Sequence, residues 1–313
     1  MTFIAHDPLR CVDEPTPQPA RARCRRADER PLTDAENQGL RPIREARMAD
    51  GLTGQVTRNA AEVYEEFFVP ALFLEWAARV ANEARLAPGQ KVLDVACGTG
   101  ALAREAARRV QPGGEVAGLD RNEGMLSLAR RKAPGIDWRL GMAESLPFAN
   151  GVLDAVVSQF GLMFFEDRVA ALREMWRVLR PGSRLAVAVW DALDRTPGYA
   201  AMTALLQRLF GDRVAAALRA PFALGDPTAL RSLFTEAGIA GIEIRTSDGT
   251  ARFPSIESWV HTDVKGWTLA DLIDDAQYGK LRQAAETELT PYVQRDGTVA
   301  FRSSAHIVTA VKR

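Results

Sequence analysis

The sequence predicts an α/β protein built on a doubly wound, mostly parallel sheet, and three observations carry that prediction. Short apolar runs alternate with helix-period segments through residues 88–190. Turn residues separate them: Pro88-Gly89, Gln111-Pro112-Gly113-Gly114, Pro134-Gly135 and Arg180-Pro181-Gly182. The first apolar run ends in Gly98-Thr99-Gly100, and a helical pattern starts at once. Alternating strands and helices build βαβ units, which place helices on both faces of a parallel sheet.

Residues 1–47 stand apart. Pro8, Pro15, Pro17, Pro19, Pro31 and Pro42 are scattered among Arg21, Arg23, Arg25 and Arg26, with few large apolar residues. Such a segment cannot bury enough surface to offset its ordering entropy, so a disordered or loosely attached tail is expected. Met48 opens the ordinary sequence and is a candidate start. The domain is expected over 48–313, with a core at 88–190, helical insert and lid segments at 191–295 and a final strand at 299–311.

Thr57 to Ala87 reads as two helices broken at Pro70, because proline lacks the amide hydrogen that a helix interior needs. The aromatics of Val63-Tyr64-Glu65-Glu66-Phe67-Phe68 fall on one side, and such a helix ahead of a glycine turn can fold over a ligand. Tyr64 and Phe68 are the residues expected to face it.

Strands follow at Lys91 to Val95, Glu115 to Asp120, Ile136 to Gly141, Leu153 to Ser158 and Arg184 to Trp190, the last fully apolar and buried. Helices lie between them at Ala101 to Arg109, Glu123 to Lys132 with Asn122 as cap, and Arg168 to Leu179. Residues 196–236 read as helical with breaks at Gly211 and Pro221 and a cap at Asp226. Further strands are expected at Ile239 to Thr246 and Val299 to Val311, and helices at Ser255 to Val260 and Asp274 to Leu289.

Charge and composition narrow the function. Of the 313 residues, 47% are hydrophobic, enough for a sizeable core, and 40 basic side chains balance 40 acidic ones. A neutral chain argues against coating nucleic acid, which needs a basic surplus. Cys11, Cys24 and Cys97 lack metal-ligand or CxxC spacing, which points to a reducing, cytoplasmic setting and no metal. His6, His261 and His306 are equally scattered. No apolar run approaches the roughly 20 residues of a membrane helix, and the start lacks the layout of a secretion signal.

A strand, a Gly-x-Gly turn and a helix N-terminus bring backbone amides close to a nucleotide-like ligand. Gly98-Thr99-Gly100-Ala101-Leu102-Ala103 matches the dinucleotide pattern G-x-G-x-x-G/A, and Asp120 stands twenty residues beyond Gly100 at a strand end. An NAD-dependent oxidoreductase is one reading. Asp94, four residues before Gly98 within the strand, favours another. A carboxylate beside the turn repels a pyrophosphate and suits a ligand with an ammonium or sulfonium.

The stretch Asp94-Val95-Ala96-Cys97-Gly98-Thr99-Gly100 resembles motif I of the class I S-adenosylmethionine (SAM) dependent methyltransferases, most closely the ubiquinone/menaquinone-biosynthesis-like group. In order follow Gly118-Leu119-Asp120, Met125-Leu126, Ala143-Glu144-Ser145-Leu146-Pro147-Phe148, Leu153-Asp154-Ala155-Val156 and Glu174-Met175-Trp176-Arg177-Val178-Leu179-Arg180-Pro181-Gly182, each similar to a motif of that group. The resemblance implies a Rossmann-like seven-stranded sheet with its last strand antiparallel. It implies SAM as cofactor, with in-line displacement of its methyl group by a small-molecule acceptor. Gly98 and Gly100 would admit the backbone to the methionine part and Asp94 would steer its ammonium. Asp120 would accept from the ribose hydroxyls, Met125 would pack on adenine, and Ala143 and Glu144 would lie at the adenine edge. Gln159 would sit between the methionine end and the acceptor. The family often has Asp before the Ala of A-E-x-L-P-F; this chain has Met142, so that adenine contact is missing.

Ser158-Gln159-Phe160-Gly161 stands where amino-methylating nucleic-acid enzymes carry Asn/Asp-Pro-Pro-Tyr/Phe. The expected partner is therefore a small, apolar or aromatic acceptor, with no nucleic acid and no membrane span, and with a homodimer left open. His261 is the candidate base. Tyr64, Phe68 and Tyr199, with Arg252 and Trp267, are candidate acceptor contacts. A SAM-binding protein that does not transfer methyl, such as a lyase, isomerase or regulator, is the third reading.

Overall fold

The computed structural model describes residues 58–266 and 268–313. The 1–47 tail, the candidate start at Met48 and Trp267 lie outside the described residues. Seven strands form one sheet in the order β3-β2-β1-β4-β5-β7-β6. They are β1 Lys91–Val95, β2 Glu115–Asp120, β3 Asp137–Leu140, β4 Leu153–Gln159, β5 Leu179–Trp190, β6 Glu243–Phe253 and β7 Val299–Val311. Only β7 runs antiparallel to its neighbours β5 and β6.

The helices that shape the site are α1 Arg58–Val63, α2 Leu74–Glu83, α3 Ala101–Val110, α4 Glu123–Lys132, α5 Arg168–Val178, α6 Pro197–Phe210, α7 Asp212–Arg219, α8 Pro227–Glu236, α9 Ile256–Lys265 and α10 Asp275–Glu288. Chain order moves one way through β1, β2 and β3 and the other way from β4 to β5. Right-handed crossovers therefore put α3 and α4 on one face and α5 on the other. Between β1 and β4 the direction reverses, which leaves a crevice at the carboxyl ends of those strands. Both strands are buried almost throughout, as central strands of a covered parallel sheet must be.

The caps follow the sequence. The Asn122 side chain accepts from the Met125 amide, Asp226 from Thr228 and Asp274 from Gln277. No helix among the described residues is long and apolar enough to cross a membrane.

Four expectations need correction. Pro70 breaks nothing: Tyr64–Phe73 is one π-helical stretch joining α1 to α2, with Pro70 inside it. The wider π turn relieves the clash between a proline ring and the preceding turn. The sixth strand starts at Glu243, not Ile239, and runs to Phe253. Ile239 instead closes α8: its amide bonds Phe234 O (2.9 Å) and the Gly238 amide bonds Thr235 O (2.9 Å). This is a Schellman cap with Gly238 at positive φ. The helix expected to stop at Val260 continues through Lys265, which carries His261 and Asp263 onto α9. The fifth strand begins directly after α5 at Leu179 rather than at Arg184.

Candidate functional site

Two loops meet at the crevice, one after β1 and one after β4, and both leave ordinary backbone space. Ala96 (φ 58°) and Phe160 (φ 55°) are left-handed without being glycine. For a bulky residue that conformation is strained and persists only where its surroundings impose it. Phe160 is held by a stacked Trp190 ring (centroids 3.6 Å apart, planes within 4°) and by its amide on Ala188 O (2.9 Å). Gly161 completes the junction, because a Cβ there would stand 2.5 Å from the Ala96 Cβ.

The two glycines of the turn differ. Gly98 has φ +55° and nothing within 4 Å of where a Cβ would stand. Gly100 has φ +87°, and its Cβ would lie 2.3 Å from the Trp138 ring. Gly98 thus leaves open space beside the turn, while Gly100 makes room for a core tryptophan, a packing role not anticipated for it.

Asp120 closes the turn from the neighbouring strand. Its Oδ2 accepts from the Gly98 amide (2.8 Å) and its Oδ1 from the Asn122 amide (2.8 Å). Burial raises its pKa against the pull of those amides. The carboxylate lines a cleft together with Met125, Gly141, Met142, Ala143, Glu144 and Gln159. Met125 also packs against Ala61 and Tyr64, so one face serves the core and another the cleft. Glu144 Oε1 is engaged, accepting from the Glu166 (3.1 Å) and Asp167 (3.4 Å) amides, so it ties the approach to α5 to the cleft rim.

Asp94 is 1% exposed and neither carboxylate oxygen makes a hydrogen bond of normal geometry, the Ala103 amide being the donor that acts on it. Burial drives its pKa well up; the Ala103 amide in the first turn of α3 opposes this and the Asp120 charge adds to it. Beside it Thr99 Oγ1 and Gln159 Oε1 are also buried and unpartnered, around a small pocket shared with Ala96, Cys97 and Tyr64. Gln159 Nε2 donates to Phe73 O (3.0 Å), which anchors the π-helical stretch across the crevice. A second anchor is Glu65, whose Oε1 meets Arg104 (3.0 Å) and Lys132 (2.9 Å). Arg104 in turn donates to Thr99 O (2.6 Å). These bonds hold Tyr64 over the turn.

A second pocket opens behind the cleft and shares Tyr64, Phe160 and Phe164 with it. Its walls are otherwise Phe68, Leu72, Phe73, Trp190, Leu218, Pro221 and Phe222, with Tyr199 and Asp263 as the remaining polar lining. The Tyr199 hydroxyl donates to Asp263 Oδ1 (3.2 Å), and Oδ2 makes no hydrogen bond of normal geometry. Burial pushes the Asp263 carboxyl up to about 8, against the pull of the Tyr199 hydroxyl and the Trp259 indole.

The structure therefore gathers Asp94, Asp120, Met125, Ala143, Glu144, Gln159 and Tyr64 around one crevice, and Tyr64, Phe68 and Tyr199 around the pocket behind it. His261 is not gathered. It lies two positions from Asp263, on the other side of α9, where its ring meets Phe67 edge-on (5.7 Å) and its Nδ1 faces the Tyr278 hydroxyl (3.4 Å). Arg252 is exposed on β6 and lines neither cavity. Asp263, Phe160, Phe164 and Trp190 were not anticipated. The available signal for Asp263 was its i, i+4 spacing from Trp259, which puts an acid on the buried side of an apolar helix.

A buried, under-satisfied carboxylate in a polar corner attracts a cationic head, and an acid at a strand end held by backbone amides keeps lone pairs for a diol. An aromatic slot behind them takes a flat apolar molecule.

Comparisons with known proteins give the family. A family described as "Methyltransferase domain" matches residues 93–187. The demethylmenaquinone methyltransferase of Renibacterium salmoninarum is 42% identical over 113 residues, 36% of this chain and 46% of that protein, so less than half of that relative is spanned. That of Staphylococcus carnosus is 33% identical over 188 residues, 56% of this chain and 78% of the relative. The ubiquinone/menaquinone biosynthesis C-methyltransferase of Burkholderia vietnamiensis is 35% identical over 171 residues, 50% of this chain and 69% of the relative. Among solved structures, a Haemonchus contortus phosphoethanolamine N-methyltransferase with S-adenosylhomocysteine shares the fold (TM-score 0.54, 18% identity), covering 82% of this chain and 57% of that one.

Proposed function

Since the chain belongs to the ubiquinone/menaquinone-type group of the class I SAM-dependent methyltransferases, which transfers the methyl group of SAM to a small-molecule acceptor, we propose that its acceptor is a flat, apolar, hydroxylated ring of the quinol type, held in the aromatic pocket. The observation that carries this is the shared wall: Tyr64, Phe160 and Phe164 border both the cleft and the pocket, so a ring in one faces a ligand in the other. The names of the curated relatives point to the same class of acceptor.

The residues present fit SAM. The under-satisfied Asp94 carboxylate provides the charge its ammonium needs, Asp120 keeps free lone pairs for the ribose, and Met125 and Ala143 supply an apolar edge for adenine. SAM supplies an electrophilic methyl on a sulfonium, with a thioether as leaving group. The chain's own task is alignment, holding the ring against the cleft and keeping water out. Phe68, Phe73, Trp190 and Phe222 exclude water, and Gln159 fixes the π-helical strap over both ligands. Sparse cysteines without pairing spacing support a reducing, cytoplasmic setting.

Two measurements test the reading. Calorimetry on the full chain is expected to show binding of S-adenosylhomocysteine and none of NAD; the reverse removes the SAM assignment. Incubation with SAM and naphthalene-1,4-diol, kept reduced, is expected to add one methylene to the diol by mass; no gain with the diol alongside turnover of a charged aliphatic amine removes the aromatic acceptor. Asp120→Ala is expected to weaken S-adenosylhomocysteine binding by about 1.5–3 kcal/mol, the range for hydrogen bonds to a charged group. Unchanged affinity would take Asp120 out of the site.

A further inference from the structure

We propose that Asp263 is the proton acceptor of the reaction, taking the hydroxyl proton of the ring bound in the aromatic pocket onto its Oδ2, with Tyr199 as the residue that positions it. The proposal rests on the aromatic-acceptor reading and deepens it. Several observations converge on this carboxyl. It is 2% exposed yet lines the pocket rather than the protein interior. One oxygen is held by the Tyr199 hydroxyl on α6; the other is buried beside the Trp259 indole and makes no hydrogen bond of normal geometry, so its demand for a donor is not fully met within the protein. A buried carboxylate oxygen short of a donor is costly, and such an oxygen on a pocket wall is satisfied when a ligand brings the donor.

The groups around it are few. Tyr199 faces it from α6, the Trp259 indole lies near it on its own helix, and Tyr64 lines the same pocket from the π-helical stretch. Burial keeps Tyr199 protonated, with the Asp263 charge adding to the effect, so Tyr199 serves as donor and not as base. Every other described residue lining the pocket is phenylalanine, leucine, proline or tryptophan. Among the described residues, no other lining residue can take a proton near neutral pH.

The step balances within the pocket. The O–H bond of the acceptor breaks, a new O–H bond forms at Asp263 Oδ2, and the electron pair stays on the acceptor oxygen, delocalised into the ring. The ring gains the negative charge that makes it a nucleophile, and the charge lost by Asp263 means that the pocket holds one anion before and after. That matters in a wall of aromatic side chains, where a second anion would be poorly solvated. Burial tunes the carboxyl up to about 8, closer to a phenolic hydroxyl than an ordinary carboxylate is, which shortens the uphill step.

The test uses the full chain with SAM and naphthalene-1,4-diol as the probe acceptor. Diol binding, S-adenosylhomocysteine binding, kcat and the pH profile of kcat/KM are compared for wild type, Asp263→Asn and Tyr199→Phe. Wild type is expected to show a rising limb centred near pH 8, set by the carboxyl pushed up to about 8. Asp263→Asn is expected to bind both ligands within about threefold of wild type, lose kcat by about 100-fold or more and lose the limb. Tyr199→Phe removes the donor that favours the carboxylate, so its limb moves to higher pH; this readout stands even if Asp263→Asn fails to fold. Wild-type kcat in Asp263→Asn, or an unmoved limb in Tyr199→Phe, overturns the proposal alone. A wild-type chain that binds S-adenosylhomocysteine but neither binds nor methylates the diol overturns the aromatic-acceptor reading, and the proposal with it.

Discussion

Asp94→Asn is expected to lower S-adenosylhomocysteine affinity by about 10- to 100-fold and to raise the melting temperature of the ligand-free chain. Both follow from one carboxylate that is buried and makes no hydrogen bond of normal geometry. A hydrogen bond to a charged group contributes about 1.5–3 kcal/mol, which sets the loss of affinity. The gain in stability follows from linkage. Burial raises the Asp94 pKa well above the ordinary carboxylate range, so the folded chain binds the proton more tightly than the unfolded chain. Its contribution is intact below the unfolded pKa and is lost as pH rises through the folded one. Asparagine removes that loss, so its stabilising effect should be small in acid and grow towards neutral pH. Melting curves at several pH values without ligand, beside calorimetry with S-adenosylhomocysteine, check both halves. A variant that loses stability at neutral pH would show that the Asp94 charge is compensated within the protein.

Gly100→Ala is expected to destabilise the chain by about 2–5 kcal/mol, against about 1–2 kcal/mol for Gly98→Ala. Both alanines pay the cost of a left-handed backbone, roughly 1–2 kcal/mol. At Gly98 the new methyl meets open space, whereas at Gly100 it would stand 2.3 Å from Trp138, whose ring is also packed close to Gly118. Overpacking of that kind adds about 1–3 kcal/mol. The ranking reverses for ligand binding: Gly98→Ala should weaken S-adenosylhomocysteine more per unit of stability lost. Denaturant unfolding of both variants and of Gly100→Ala with Trp138→Leu is the check. The double variant should lose less than the sum of its parts, because the clash has gone. Additive losses would mean that Trp138 is not what Gly100 accommodates.

What could be read from the sequence was what is local. β1, the glycine turn, β2 ending in Asp120 and the Asn122 cap each depend on neighbours within a few residues, and they lie where the pattern placed them. Pro70 misled because its interior cost is well defined for an α-helix and the chain answers with a π-helical stretch instead. Ile239 misled because an apolar residue after a helix serves a Schellman cap as well as a strand. The aromatic pocket was mostly hidden. Its walls come from residues 64–73, 160–164, 190, 199, 218–222 and 263, which only the sheet order brings together. His261 drew notice by residue type, but two steps along a helix turn a side chain to the other side, and Asp263 takes the place in the pocket.

The wall shared by cleft and pocket has a thermodynamic consequence. Tyr64, Phe160 and Phe164 border both cavities, so ordering them for one ligand changes what the other must still order. Whatever factor S-adenosylhomocysteine applies to diol affinity, the diol must apply to S-adenosylhomocysteine, because the coupling free energy belongs to the ternary complex and has no direction. Order of addition can alter the rates of assembly, but the closed cycle of four binding constants is fixed by those three aromatic rings as much as by the carboxylates beneath them.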